Sequence, residues 1–156
     1  MYRILKKFIV LTFINIILSQ AVCAITLDEG KQAFQKYVKE SNACSMAFIN
    51  MYDKSSVIKR IVLNANGSSY TKIIPIAAYK TMLLGYSKAA LWQGYRNTYT
   101  NISFQQNGDD VIVKAIRHPS TSSEKLPATL VFGTNSKGKI IIKEESFHTN
   151  ASFLLK

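Results

Sequence analysis

The sequence predicts one α+β domain behind a secretory leader. Three observations carry this. Residues 27 to 52 repeat apolar side chains at three and four behind a capping signal, as an amphipathic helix does. Residues 98 to 147 alternate instead, with β-branched and aromatic residues between polar, Gly-containing turns, as consecutive antiparallel strands do. Ahead of both, residues 1 to 24 have the three parts of an export signal.

Arg3, Lys6 and Lys7 give a positive start without an acid, and an apolar run, Phe8 to Leu18, follows with only Thr12 and Asn15 interrupting it. Val22 and Ala24 then place small side chains where a signal peptidase reads them, so cleavage is expected between Ala24 and Ile25. Cys23 raises lipidation, but Gln20-Ala21-Val22 is a poor lipobox. The alternative is an uncleaved anchor, because no charge occurs from Phe8 to Leu27, about the length that spans a bilayer. Both readings export the domain, to the periplasm or beyond the cell, and only the second puts it on a membrane. The division is residues 1–24, signal, and residues 25–156, domain.

Removing Arg3, Lys6 and Lys7 from the 20 bases leaves 17 against 9 acids, a net charge of +8. Such a surface suits anionic partners or simply keeps a Lys-rich chain soluble. Nucleic acid is not expected: no binding motif and no Arg-rich run is present. After cleavage Cys44 is the lone cysteine, which excludes an internal disulfide and reads as a small buried hydrophobe on a helix face. One Cys with His118 and His148 is too few ligands for zinc, and no metal or other cofactor is expected.

The elements follow in order. Thr26-Leu27-Asp28-Glu29 is a capping box. Phe34, Tyr37, Val38, Ser41, Cys44, Ser45, Phe48 and Tyr52 continue one stripe, either as a single helix or with a kink near Ser41-Asn42. Asp53 to Ser56 reads as a turn, Val57 to Leu63 as a strand, Asn64 to Ser68 as a hairpin loop and Tyr70 to Ile74 as the returning strand. Pro75 opens a helix over about Ile76 to Trp92, with Ile76, Tyr79, Leu83, Tyr86, Ala90 and Leu91 on one side, and Gly94 ends it. Strands are expected over Thr98 to Gln105, Val111 to His118, Pro127 to Gly133 and Lys139 to Phe147. Turns at Asn107-Gly108-Asp109-Asp110 and Asn135 to Gly138 separate them, with a polar loop over Ser120 to Lys125. The tail from His148 either extends the last strand or stays loose. Asn66, Asn101 and Asn150 head glycosylation sequons, meaningful only in a host that glycosylates.

This order, with Met51-Tyr52-Asp53-Lys54-Ser55-Ser56-Val57 leading from helix to strand, Tyr99 to Val111 as a strand pair around Gly108-Asp109, and Gly138 to Glu145 as a late strand, resembles the NTF2-like (SnoaL-like) superfamily. The resemblance implies a cone, a curved and mostly antiparallel sheet wrapped against N-terminal helices. It implies little about function, since the same cone serves enzymes, binding proteins and assembly modules.

In enzymes of that superfamily the cone holds an acid or His as general base. Asp28 and Glu29 belong to the helix start, Glu40 to the wet face of that helix, Asp109 and Asp110 to a turn and Glu124 to a loop, so the acids left are Asp53, Glu144 and Glu145. Asp53 also fits a turn. Period-two alternation puts Glu144 with Ile140 and Ile142, and Glu145 with Ile141 and Phe147, so one of the two faces inward unless both are strand-end carboxylates paired with lysines. His118 and His148 lie near strand ends without a nucleophile motif beside them. Arg117 shares a face with Val111, Val113 and Ala115. If that face lines the cone, its guanidinium reaches the rim and suits an anion or carboxylate; otherwise it dresses the outside. Tyr52, Trp92 and Tyr99, with Tyr79, Tyr86 and Tyr95, are either pocket wall or core.

Three functions stay open: a non-enzymatic exported domain binding a small apolar or anionic ligand, a protein partner or a second copy; a membrane-tethered component resembling the NTF2-like domains of type IV secretion systems; and a small enzyme of the ketosteroid-isomerase or polyketide-cyclase type using Asp53, Glu144 or Glu145.

Overall fold

The computed structural model describes residues 24–64 and 66–149, so the leader with Cys23, and the tail with the Asn150 sequon, lie outside the described residues. Helix α1 (Leu27–Asn42) starts at the expected capping box: the Glu29 N–H donates to Thr26 Oγ1 at 3.2 Å, and the Thr26 N–H donates to Glu29 Oε2 at 2.7 Å. The helix breaks after Asn42, because Cys44 takes a left-handed backbone (φ 48). Ser45 then caps a single turn, α2 (Met46–Ile49). Cys44 is therefore half-buried in the break rather than buried on a helix face, since the stripe's period no longer applies once the helix has ended.

Strand β1 (Tyr52–Leu63) begins five residues before the expected Val57. The segment Asp53 to Ser56 is not a turn but an irregular strand start, with a register shift between Tyr52 and Val57. Ser56 holds it, its hydroxyl donating to the Ile142 carbonyl at 2.5 Å and accepting from the Asp53 N–H at 2.8 Å. Strand β2 (Ser69–Ile74) returns through a loop in which Gly67 has φ 82, a conformation glycine adopts without strain. Helix α3 (Ile76–Trp92) follows Pro75. Then come β3 (Asn97–Asn107), β4 (Asp110–Pro119), β5 (Leu126–Thr134) and β6 (Ile140–Thr149), the last extending two residues into the tail.

The six strands form one sheet in the order β2-β1-β6-β5-β4-β3. Every neighbouring pair is antiparallel except β1 and β6, which run parallel. Register shifts in β1, in β3 and between β5 and β6 add twist and bend, and β2 and β3 remain as open edges. Helix α1 lies against β3, β4 and β5, and α3 against β1. Both cover the face that carries Ile58, Val111, Val113, Leu130, Phe132 and Ile142, the buried core. Among the described residues no helix is long and apolar enough to cross a membrane.

Helix α1 comes close to the sheet at Gly30, where an added Cβ would lie 2.5 Å from Val111 Cγ1. Gly30→Ala is expected to cost about 1–3 kcal/mol by overpacking. Adding Val111→Ala should recover part of that loss, because the two sites share one gap. Urea unfolding of both single variants and the double variant checks this; simple additivity would contradict it.

Candidate functional site

Among the described residues Glu145 is the only buried acid, and it has no solvent exposure. Strand alternation along β6 is interrupted: Val131 faces Glu144 while Phe132 faces Ile142, so Lys143 is skipped. The bulge puts Ile142, Glu145 and Phe147 on the inner face and leaves Glu144 outside, paired with Lys59 at 2.7 Å.

Four side chains from three elements close on Glu145. Oε1 accepts from Arg60 Nη2 at 2.6 Å and from the Tyr79 hydroxyl at 2.8 Å. Oε2 accepts from the Tyr52 hydroxyl and, more distantly, from the Tyr37 hydroxyl at 3.4 Å. Arg60 Nη2 also donates to the Tyr79 oxygen at 3.1 Å, and its guanidinium lies 5.2 Å from the ring centroids of both Tyr79 and Phe147. Burial opposes the charge on Arg60, but the Glu145 carboxylate outweighs it and holds the guanidinium more firmly protonated than usual. Burial also pushes the phenols of Tyr37, Tyr52 and Tyr79 up, and the Glu145 charge pushes them further.

A second group sits at the rim. Arg117 shares the inner face with Val111, Val113 and Ala115, and its Cα is paired across the strands with that of Tyr99. Its guanidinium lies 4.9 Å from the Phe147 ring centroid. Nη1 donates to Asn97 Oδ1 at 3.2 Å and to the Tyr95 hydroxyl at 3.4 Å, and Nη2 to the His148 carbonyl at 3.5 Å. Nε has no partner, and neither does the buried Tyr99 hydroxyl, whose ring lies 6.3 Å from that of Tyr37. Asn42 fixes this end of the cone by exchanging two hydrogen bonds with the Asn97 backbone, at 2.8 and 2.9 Å.

The structure thus brings together Glu145, Tyr52, Tyr99 and Arg117, and leaves the other candidates elsewhere. Asp53 borders a shallow groove of roughly 470 Å³ beside the β5–β6 turn. Its carboxylate accepts from Asn135 Nδ2 at 3.1 Å and from the Ser55 N–H at 3.3 Å, and these bonds hold it below the usual carboxylate range. Trp92 stands away from the interior, 90 % exposed at the end of α3, and Tyr86 is also exposed. His118 meets Thr100 Oγ1 at 2.7 Å. Sequence reasoning missed Arg60. Its signal was there: on β1, alternation sets Arg60 on the face of Ile58 and Val62, an unexplained charge on an apolar face.

No protein-family model matches the chain, and no curated protein matches its sequence. Solved structures do resemble it. An NTF2-like protein of unknown function from Pseudomonas putida KT2440 has a TM-score of 0.56 at 11% identity, over 78% of this chain and 84% of that one. An NTF2-like protein with a cystatin-like fold from Novosphingobium aromaticivorans scores 0.55 at 10% identity, over 78% and 79%. The fold is NTF2-like. A protein of unknown function from the DUF3225 family of Pectobacterium atrosepticum SCRI1043 scores 0.58 at 13% identity, over 78% and 88%. Within the NTF2-like cone, the acid at the centre and the cation at the rim are features of this chain's own residues.

The buried phenols set an alkaline limit on stability. Their pKa values are raised in the folded chain, so their contribution is complete below the unfolded value near 10 and is lost as pH climbs toward the folded values. Above about pH 10 the unfolded chain releases protons that the native state keeps, and unfolding free energy should fall by up to about 1.4 kcal/mol per pH unit for each tyrosine. Urea unfolding across that range, with tyrosinate absorbance followed in parallel, checks it. Ionisation of all the tyrosines without loss of stability would contradict it.

Proposed function

We propose that this chain is an exported, non-enzymatic binding domain whose NTF2-like cone takes a small ligand at its rim. The engagement of Glu145 carries the reading. A general base must offer a free lone pair toward the substrate. Both oxygens of Glu145 are already directed at Arg60 and three phenols inside the core. The carboxylate acts as an internal counter-ion, and the rim groups Arg117, Tyr99 and Tyr95 are left to meet a ligand.

The export half of this reading comes from the leader, residues 1–24. Ile25 is 3% exposed, its N–H donates to the Asp109 carbonyl at 3.2 Å, and its carbonyl accepts from Gln106 Nε2 at 3.0 Å. Cleavage after Ala24 therefore keeps the fold's N-terminal contacts.

A second reading is favoured by α3. Opposite buried Tyr79 the helix presents Leu84, Lys88, Leu91 and Trp92, and no acid occurs from Lys54 to Gly108. An apolar, basic face of this kind suits an acidic protein partner. A tethered assembly component, resembling type IV secretion NTF2-like domains, would use it with the leader retained as an anchor.

Native and denaturing mass spectrometry of the exported protein tests the first reading. The expected result is a chain beginning at Ile25 that carries a small molecule, recovered chemically unchanged after incubation. A chain that keeps residues 1–24, or a ligand converted by the wild type and spared by Glu145→Gln, would contradict it.

A further inference from the structure

We propose that the cone rim is a carboxylate subsite, in which Arg117 and Tyr99 grip the acid group of a small aromatic carboxylate. This rests on the binding-domain reading and names the ligand class for it.

The first support is the pair of unsatisfied donors. Arg117 Nε and the Tyr99 hydroxyl are buried polar atoms without a partner, and they belong to side chains paired across β3 and β4. Paired residues of this kind hold their Cβ atoms about 5 Å apart, so the two side chains rise from one place on the inner face. Leaving either unsatisfied is costly unless a ligand acceptor repays it.

The second support is the geometry of the guanidinium. Its Nη1 side is engaged by Asn97 and Tyr95. The Nε–Nη2 edge holds the orphan Nε and the longest contact, 3.5 Å to the His148 carbonyl. Two parallel N–H groups on that edge match the two oxygens of a planar carboxylate, and a phenol supplies a third donor.

Charge gives the third. Arg60 and Arg117 both place a guanidinium against the Phe147 ring, one from β1 and the other from β4. Arg60 has its counter-ion built into the chain as Glu145. Arg117 makes no ion pair among the described residues. A single guanidinium with one phenol balances a monoanion rather than a phosphate dianion. The surroundings select the rest of the ligand: Phe34 lies 5.4 Å edge-on to Tyr99, Tyr37 is 6.3 Å from it, and Phe147 underlies Arg117. Such rings favour an aromatic body by edge-to-face contact.

Isothermal titration of the whole domain with phenylacetate and its neutral isostere phenylacetamide tests this. Wild type should bind phenylacetate about tenfold or more tightly than the amide, the effect of a charge-assisted bidentate contact. Arg117→Met and Arg117→Lys should each weaken the acid by about tenfold, the lysine because it lacks the fork, and Tyr99→Phe by a few-fold. Affinity for the amide should hold in all three. Thermal midpoints establish folding, and should Arg117→Met fail to fold, Arg117→Lys and Tyr99→Phe decide. Equal binding of acid and amide, or a folded Arg117 variant with undiminished affinity, overturns the subsite while the binding-domain reading stands. Absence of phenylacetate binding by folded wild type overturns the subsite as well. The binding-domain reading itself falls only with the mass-spectrometric result above.

Discussion

A carboxylate removed from water costs several kcal/mol unless it is both paired and hydrogen-bonded, and Glu145 meets that condition with partners drawn from α1, β1 and α3. Its side chain is the point where the parallel β1–β6 pair and both long helices converge. Tyr37 cannot reach it unless α1 is seated, Tyr79 cannot unless α3 crosses β1, and Arg60 cannot unless β1 and β6 hold their register. A hydrophobic residue there would fill the space without specifying which elements must meet. The buried pair is thus read as a device for fold specificity.

The same arrangement divides the cone into two chemistries. Deep inside, a cation and an anion cancel, and the phenols around them stay protonated. At the rim the corresponding cation, Arg117, has only neutral partners, and its buried Nε has none. Phe147 lies between the two regimes, touched by both guanidinium groups. The ring keeps Arg60 and Arg117 close to one apolar surface while only Arg60 meets Glu145.

Much of this was legible beforehand, and the failures have physical causes. The capping box, the α3 boundaries and the four C-terminal strands follow from local signals, and the structure has them. That Arg117 shares a face with Val111, Val113 and Ala115 was legible as well, because β4 alternates without interruption, but which side of the sheet that face covers was not. The bulge at Lys143 was not, since a skipped residue leaves no mark in an alternating pattern; that is why Glu145 groups with Ile142 and not Ile141. The parallel pairing of β1 with β6 is non-local and has no turn to announce it. Asp53 to Ser56 looks like a turn from composition alone, yet the Ser56 hydroxyl makes it a strand start. Cys44 looked buried because the stripe was continued past the point where the helix stops. Arg60 was overlooked although alternation placed it among Ile58 and Val62, the one clear sign that the cone held a charge needing an opposite.

The central claim is that Arg60 and Glu145 act as one unit that orders the cone. A double-mutant cycle on Arg60→Met and Glu145→Leu, read by urea unfolding, tests it most directly. Each single variant should lose about 3–5 kcal/mol by stranding a buried charge, and the double variant should lose less than the sum of the two, with a coupling of about 2–3 kcal/mol. Losses that simply add, or a single variant as stable as wild type, would contradict the account.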